Sequence, residues 1–151
     1  MAVGAYYNYG NVSNSGCVQV FSHSDKYLIN IGGYIDGEYA NDQLVYYVVI
    51  YSDGNIVAVG ARYNDVNGNI PGYVLVFPRI GSSWVKVGYD IVVEYSNDRS
   101  GYSIAIFSGD NTVAVSVSSN NRKGGNYGHV IVYSNIEKFW INLVDDIYGE
   151  Y

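Results

Sequence analysis

The feature that most restricts what this chain can fold into is a repeat of 56 residues. Val3-Gly4-Ala5 returns as Val59-Gly60-Ala61 and, in altered form, as Val115-Ser116-Val117, at a constant spacing that needs no gaps. Internal repetition of this kind is typical of proteins in which each copy forms one unit that packs on the next. Four further columns keep the same spacing: Gly16, Gly72 and Gly128; Phe21, Phe77 and Tyr133; Leu28, Trp84 and Trp140; Glu38, Glu94 and Glu150.

Each copy contains short runs of β-branched and aromatic residues, bounded by Gly, Asn, Asp and Ser. Such runs predict β-strands joined by tight antiparallel hairpins. The runs of the middle copy are 46–51, 56–61, 72–77 and 84–88, and those of the third copy are 102–107, 112–117, 129–133 and 139–144. The first copy holds only the last three runs, so we expect its sheet to lack one strand.

Composition agrees with an all-β chain. The 151 residues include 18 Tyr and 18 Gly but only 2 Pro, and only 15% are charged. Aromatic and β-branched residues favour strands, whereas Gly allows tight turns. In the second strand of the middle copy, Ala58 and Gly60 alternate with valines, which predicts a sheet that is covered on both faces.

We therefore predict tandem four-stranded antiparallel blades of a β-propeller, with just under three 56-residue repeats. The whole chain, 1–151, is expected to be a single repeat domain, with units at approximately 1–39, 40–95 and 96–151. A β-trefoil-like fold is the alternative, because it also combines three four-stranded copies in about this length.

Two segments carry a family resemblance. Ser100-Gly101-Tyr102-Ser103-Ile104 followed by Val113-Ala114-Val115, and Val57-Ala58-Val59-Gly60-Ala61, resemble the FG-GAP repeat family. The resemblance extends over essentially the whole chain and implies an integrin-α-like propeller.

The chain also departs from the family pattern. Ser100 stands where the family has Phe, Leu44-Val45 replaces the Phe-Gly pair of the middle copy, and Arg62 or Ser118 replaces the Pro. Many members carry a calcium loop before the Gly-Ala-Pro strand, but segments 51–55 and 107–111 each contain one carboxylate. One carboxylate cannot supply the about six to eight oxygens that Ca²⁺ takes, so we expect no metal and no cofactor.

No arrangement of residues in the sequence indicates catalysis, and we predict that the protein is not an enzyme. Glu38, Glu94 and Glu150 share one repeat column and therefore lie on successive units, which favours a structural role over paired acid–base carboxylates. Asp42 and Asp98, which are also in register, are expected to cap turns.

The histidines and the cysteine do not indicate a metal site either. His23 and His129 occupy different repeat columns, which excludes a symmetric cluster and predicts surface or edge-strand positions. Cys17 is the only cysteine, so no disulfide can form within one chain.

The variable loop that follows the second strand of each copy, at 7–15, 63–71 and 119–127, is long and polar. Loops that vary on a rigid repeated frame are a common place for recognition, although a solvated loop without function has the same appearance. The candidate partner-binding residues in these loops are Asn64, Asp65, Asn67, Asn69, Asn120, Asn121, Arg122 and Lys123.

Charge restricts the classes of partner. The formal net charge is −6, so the average surface repels nucleic acid and anionic membranes, and we expect neither as a partner. No stretch approaches the roughly 18 apolar residues of a membrane span, and the N-terminal residues lack the pattern of a signal peptide. The sequence does not indicate a cellular location.

The repeat count points to a protein partner. Three full units would need 168 residues against the 151 present, and propellers have about four blades or more. We therefore expect self-association or docking on a larger assembly, and a piece cut from a longer propeller is the alternative. The predicted function is a non-enzymatic propeller-type repeat module for protein binding or assembly. The alternative is a carbohydrate-binding, lectin-like repeat protein whose tyrosines stack on sugar rings.

Overall fold

The structure of the chain is a computed structural model, and it describes residues 1–5, 12–38, 44–61, 72–92, 100–107, 111–117 and 128–149. These ranges contain strands and turns and no α-helix. All strand pairs among them are antiparallel. The prediction of an all-β, antiparallel chain is therefore confirmed.

The strands form three sheets that follow one another along the chain. The first sheet contains β1 (Ala2–Ala5), β2 (Cys17–Ser24) and β3 (Tyr27–Asp36). The second contains β4 (Tyr47–Ile50), β5 (Ile56–Ala61), β6 (Tyr73–Ile80) and β7 (Ser83–Trp84), with β8 (Ile91–Val92) also paired to β6. The third contains β9 (Ser100–Phe107), β10 (Thr112–Val117), β11 (His129–Ile136) and β12 (Phe139–Asn142), with β13 (Ile147–Tyr148) also paired to β11.

The strand register repeats with the sequence. Ala2 lies opposite Val20 in the first sheet, and their counterparts 56 and 112 positions later, Ala58 with Val76 and Ala114 with Val132, also lie opposite each other. Near the other end of β2, β6 and β11, the equivalent pairs are His23 with Leu28, Arg79 with Trp84 and Asn135 with Trp140. Residues of one repeat column therefore occupy equivalent backbone positions in the three sheets.

The first residue of the hairpin turn before the last strand is left-handed in all three sheets. Asp25, Gly81 and Glu137 share a repeat column and have φ values of 47°, 62° and 51°. Left-handed residues of this kind belong to the two-residue turns whose twist matches antiparallel strands. The residue that follows is left-handed only in the third sheet, where Lys138 has a φ of 75°, so the first turn position is kept and the second differs.

The last strand of the second and third sheets is shorter than the sequence predicts, whereas the last strand of the first sheet, β3, is continuous. The sequence predicted strands at 84–88 and 139–144, but β7 ends at Trp84 and β12 ends at Asn142. The chain then pairs again with the same neighbour through β8 and β13, which the sequence did not predict. In the first sheet the two pieces are joined in β3, where the register with β2 shifts between Gln19 and Phe21.

The second sheet is buried on both faces. Side chains of a strand point alternately to the two faces, and every residue of β5 is buried. Val57 and Val59 belong to a core cluster shared with the first sheet, whereas Ile56 and Ala58 belong to a cluster shared with the third. The sequence prediction that this strand is covered on both sides is confirmed.

The sheets stack face to face in chain order. The first and second sheets meet where β1 adjoins β4 and where β3 adjoins β7. The second and third sheets meet where β4 and β5 adjoin β9. The middle sheet therefore lies between the two others.

The segment that enters the second sheet keeps a glycine-like backbone without a glycine. Val45 has a φ of 97°, a conformation that β-branched residues rarely adopt. Its repeat counterpart is Gly101. The Val45 side chain is buried against Gly4, where any Cβ atom would overlap it. The missing side chain at Gly4 thus makes room for the one at Val45.

We expect Ile91→Ala to lower the free energy of unfolding by about 3 kcal/mol, because it opens a cavity in the core between the second and third sheets. The control is Ile29→Ala in β3, since the Ile29 side chain is 52% exposed and should cost less than about 1 kcal/mol. Urea unfolding followed by circular dichroism measures both. Equal losses in the two variants would contradict this description of the core.

Candidate partner-binding surfaces

The eight loop residues predicted from the sequence as a partner-binding site lie outside the described residues. They are Asn64, Asp65, Asn67, Asn69, Asn120, Asn121, Arg122 and Lys123. The predicted turn-capping residues Asp42 and Asp98 and the column members Glu94 and Glu150 lie outside as well. The candidate surfaces among the described residues therefore lie on the sheets.

Glu38, the remaining member of its column, makes a contact between sheets. Its Oε1 lies 2.8 Å from Nζ of Lys86, which follows β7 in the second sheet. Lys86 also pairs with Asp90 at 2.7 Å. Glu38 therefore forms an ion pair between the first and second sheets, and the structural role of its column stays a prediction.

The environment of Lys86 changes its pKa. Partial burial acts to lower the pKa, but the hydrogen bonds and the negative charges of Asp90 and Glu38 outweigh it and raise the pKa above the ordinary value of 10.5. All three side chains are partly exposed, so the interaction contributes only about 0.5–1 kcal/mol.

The predicted surface or edge-strand position holds for one histidine and is wrong for the other. His23 is exposed in β2, but His129 is buried at the start of β11, between β10 and β13. Its Nε2 lies 3.8 Å from Oδ2 of Asp146, and its ring packs against Tyr148 with a centroid distance of 5.4 Å. The repeat column gave a usable signal, because its other members, Cys17 and Tyr73, are small or apolar enough for a core and are also buried.

Asp146 is held by neighbouring side chains. Its carboxylate accepts hydrogen bonds from Nδ2 of Asn142 at 3.2 Å and from the hydroxyl of Tyr148 at 3.3 Å. Asn142 and Asp146 occupy the same columns as Lys86 and Asp90. The hydrogen bond between Asn142 and Asp146 in the third sheet therefore corresponds to the Lys86–Asp90 ion pair in the second sheet. Within the described part of the chain, no three His, Cys, Asp or Glu residues are grouped in a way that could hold a metal ion.

A cleft of about 320 Å³ opens between the first and second sheets beside the β4–β5 turn. Arg79 donates two hydrogen bonds to Oδ1 of Asn55, from Nη2 at 2.8 Å and from Nε at 3.3 Å. Asp53 accepts a hydrogen bond from the backbone of Asn55 at 2.8 Å. The single carboxylate in this loop therefore organises the turn.

A tryptophan joins each pair of neighbouring sheets by packing on a glycine. Trp84 donates a hydrogen bond from Nε1 to the backbone oxygen of Ile31 at 2.8 Å, and a Cβ atom on Gly32 would overlap its indole ring. At the next contact, a Cβ atom on Gly88 would lie 2.5 Å from Nδ2 of Asn135, 2.8 Å from Nε1 of Trp140 and 2.9 Å from the backbone oxygen of Lys138. Both glycines have positive φ, of 85° and 71°. The spacing of 56 thus places a large ring on one sheet against a missing side chain on the sheet before it.

The two outer sheets differ from this pattern at the faces that carry no neighbouring sheet in the described structure. The first sheet has Leu28 in the tryptophan column, and the third sheet has Val144 in the glycine column. Leu28 is 55% exposed and Val144 is 49% exposed. Leu143 N bonds to Val132 O as Val87 N bonds to Val76 O, but Val144 does not share the positive φ of Gly32 and Gly88.

The uncovered face of the third sheet, which we call the trailing face, presents apolar side chains. Ile147 is 57% exposed there, whereas its counterpart Ile91 in the middle sheet is 1% exposed. Leu143 beside it is equally exposed. The uncovered face of the first sheet, which we call the leading face, presents Val3 and Leu28. Each is a surface that the repeat covers elsewhere in the molecule.

Comparisons with known proteins do not place the chain in a family. No family model matches it, and a search of curated proteins found no match. The FG-GAP resemblance therefore stays a prediction. In the described ranges, no helix is both long enough and apolar enough to cross a membrane.

We expect Gly32→Ala to lower the free energy of unfolding more than Gly33→Ala does. Both residues have positive φ, so each substitution introduces backbone strain of about 1–2 kcal/mol. Only the new methyl group at position 32 meets another residue, Trp84, which adds about 1–3 kcal/mol. Thermal and urea unfolding measure the difference between the two variants. In a protein that also carries Trp84→Leu, the extra loss of stability at position 32 should be smaller. Equal losses of stability for Gly32→Ala and Gly33→Ala would contradict the contact with Trp84.

We expect Lys86→Met to lower the free energy of unfolding by about 0.5–1 kcal/mol at neutral pH. Because the folded-state pKa of Lys86 is raised, its contribution is present below about pH 10.5 and is lost as the pH rises through the folded-state value. The wild type and the variant should therefore converge in stability at strongly alkaline pH. Urea unfolding across a pH series measures this, with Lys26→Met in the exposed β2–β3 turn as the control. A difference that stays constant with pH would contradict the assignment.

Proposed function

We propose that the protein is a non-enzymatic β-propeller-type repeat module for protein binding or assembly, and that it holds its partner against the uncovered sheet faces. The observation that supports this most directly is the contrast within one column, where Ile91 is buried by the next sheet and Ile147 is 57% exposed. The same side chain in the same backbone position is a core residue in one sheet and a surface residue in the other.

The physical basis is the cost of leaving such a face in water. Burying one aliphatic side chain contributes about 1.5–3 kcal/mol relative to leaving it exposed. Leu143, Val144 and Ile147 are all exposed close together in sequence at the end of the third sheet. Contiguous apolar patches on soluble proteins commonly mark sites of protein interaction. A covering protein would bury these side chains as the third sheet buries Ile91.

The proposed propeller arrangement is supported by the pairing of the strands. Each described strand pairs only with strands of its own copy, and the resulting sheets stack in chain order. A β-trefoil would instead require strands of the three copies to pair with one another in a common barrel. The backbone of Val45, with its φ of 97° at the family's glycine position, also favours the FG-GAP type of repeat.

The proposal is tested by capturing proteins with the immobilised chain from an extract of the cells that express it. We expect the wild type to retain one or more proteins, which can include the chain itself, and the variant Leu143→Asp/Ile147→Asp to lose them. A charge placed at each position prevents burial without an opposite charge.

Ile136→Asp serves as the matched control, because Ile136 is exposed and its counterpart Ile80 is also exposed in the middle sheet. This column therefore lies outside the sheet–sheet contact. Quantitative mass spectrometry compares the three samples, and circular dichroism shows that each variant is folded. Identical proteins captured by the face variant and the wild type would overturn the proposal.

A further inference from the structure

We propose that protonation of His129 forms an ion pair with Asp146 that holds β13 in the third sheet, so that the trailing face binds its partner more strongly at mildly acidic pH. This inference rests on the proposed function and names a regulation of the same surface, because Ile147 of the trailing face lies in β13. It follows from the contact between the two side chains and from the residues that occupy the same columns in the other sheets.

The contact between His129 and Asp146 connects two elements of the third sheet. The imidazole is buried in β11, and its Nε2 lies 3.8 Å from Oδ2 of Asp146, the residue just before β13. Asn142 and Tyr148 donate hydrogen bonds to this carboxylate, but both are neutral and do not cancel its charge. Burial alone favours a neutral ring, whereas a neighbouring carboxylate favours the charged one. His129 can thus supply a positive charge to Asp146.

The middle sheet contains the same aspartate with a permanent partner. Asp90 occupies the column of Asp146 and pairs with Lys86 at 2.7 Å. A lysine keeps its positive charge at neutral and at acidic pH, and a neutral residue, Tyr73, stands in the histidine column. The aspartate of the middle sheet is therefore paired with a cation at either pH.

The other two sheets change the cation together with the aspartate. In the third sheet Asn142 replaces the lysine, and His129 replaces the tyrosine and lies within ion-pair distance of the carboxylate. In the first sheet Tyr34 replaces the aspartate, and the lysine and histidine columns hold Asn30 and Cys17, which carry no positive charge. Both sheets that have the aspartate thus place a basic side chain beside it, and the one in the third sheet changes its charge near about pH 6.5.

The strand β13 depends on such a contact more than its counterpart β8 does. Each strand has two residues. Ile91 of β8 is packed in the core between the second and third sheets, whereas Ile147 of β13 is 57% exposed. A segment that has few buried apolar contacts opens at a low cost in free energy. An ion pair between β11 and the residue before β13 restrains this opening and fixes the position of Ile147.

The other groups that face His129 leave the direction of the pH effect unchanged. The residue opposite it on β10 is Val117, which has no charge. The ring of Tyr148 on β13 packs against it, and this tyrosine is neutral because its hydroxyl donates to Asp146. Beside the carboxylate the imidazole binds a proton more readily than it does in the open segment. The closed state of β13 therefore binds more protons than the open state, and it becomes less stable as the pH rises.

The experiment is an NMR titration of the isotope-labelled full chain between about pH 8 and pH 5. The chain has two histidines, so the exposed His23 of the first sheet serves as an internal control. We expect the His129 ring to titrate, and in Asp146→Asn its midpoint should move to lower pH while that of His23 stays the same. The Gly149 amide, which bonds to the Gly128 oxygen at 3.2 Å, reports the closure of β13. Its protection from hydrogen exchange, corrected for the intrinsic rate, should rise at least about threefold on protonation of His129.

His129→Tyr/Asn142→Lys is the matched variant, because it rebuilds the residues of the middle sheet and supplies a permanent cation. In this variant the protection of the Gly149 amide should be the same at both ends of the titration. The wild type should capture at least about twofold more protein at about pH 6 than at about pH 8, and the variant should capture equal amounts. Circular dichroism shows that each variant is folded at both pH values.

A His129 midpoint that does not fall in Asp146→Asn, or a Gly149 protection that does not respond to pH, would overturn this inference. Capture that depends on pH equally in the wild type and in the matched variant would overturn it while leaving the proposed function in place. Absence of capture at either pH, together with the expected NMR response, would overturn the proposed function and leave the ion pair between His129 and Asp146 established.

Discussion

At both contacts between sheets a tryptophan of one copy packs on a glycine of the copy before it. A glycine lets an indole ring approach the backbone closely, because no side chain stands between them. Gly32 and Gly88 also have positive φ, and the last strand of the sheet shifts its register or is interrupted at the same point. The third sheet has the same interruption between β12 and β13 with Val144 in this column, so the interruption belongs to the repeat and the close approach of the ring belongs to the glycine.

The middle sheet shows what this arrangement does to the energetics. Because the first and third sheets cover its two faces, alternate residues of β5 belong to two separate cores. The first contact has additional polar interactions, namely the Trp84 hydrogen bond and the Lys86–Glu38 ion pair. At the second contact, Nε1 of Trp140 has no hydrogen-bond acceptor among the described residues. A backbone hydrogen bond from Tyr89 N to the oxygen of Lys138, at 2.9 Å, crosses this second contact, so the two contacts differ in which polar groups support them.

Much of the fold could be predicted from the sequence, because the repeat and the strand runs are local signals. The runs at 56–61 and 112–117 coincide with β5 and β10. The second pieces of the last strands, β8 and β13, could not be predicted, since two residues are too few to form a pattern and their pairing depends on the turn at Gly88 or Val144. The buried position of His129 was missed because histidine is more often found at the surface, although Cys17 and Tyr73 in the same column indicated a core. The polar loops carry the sequence signal for a binding site, whereas the exposed columns 28 and 144 stand out only when the sheets are known to stack.

The placement of the tryptophans has a consequence for observing the molecule. The chain has only two, one at each contact, and the N–H group of Trp84 is hydrogen-bonded whereas that of Trp140 has no acceptor in the described structure. The tryptophan fluorescence of the protein, as distinct from the emission of its 18 Tyr, is therefore divided between its two sheet–sheet contacts. A protein with either ring replaced would report the opening of one contact alone, so the separation of the first sheet from the second can be followed independently of the separation of the second from the third.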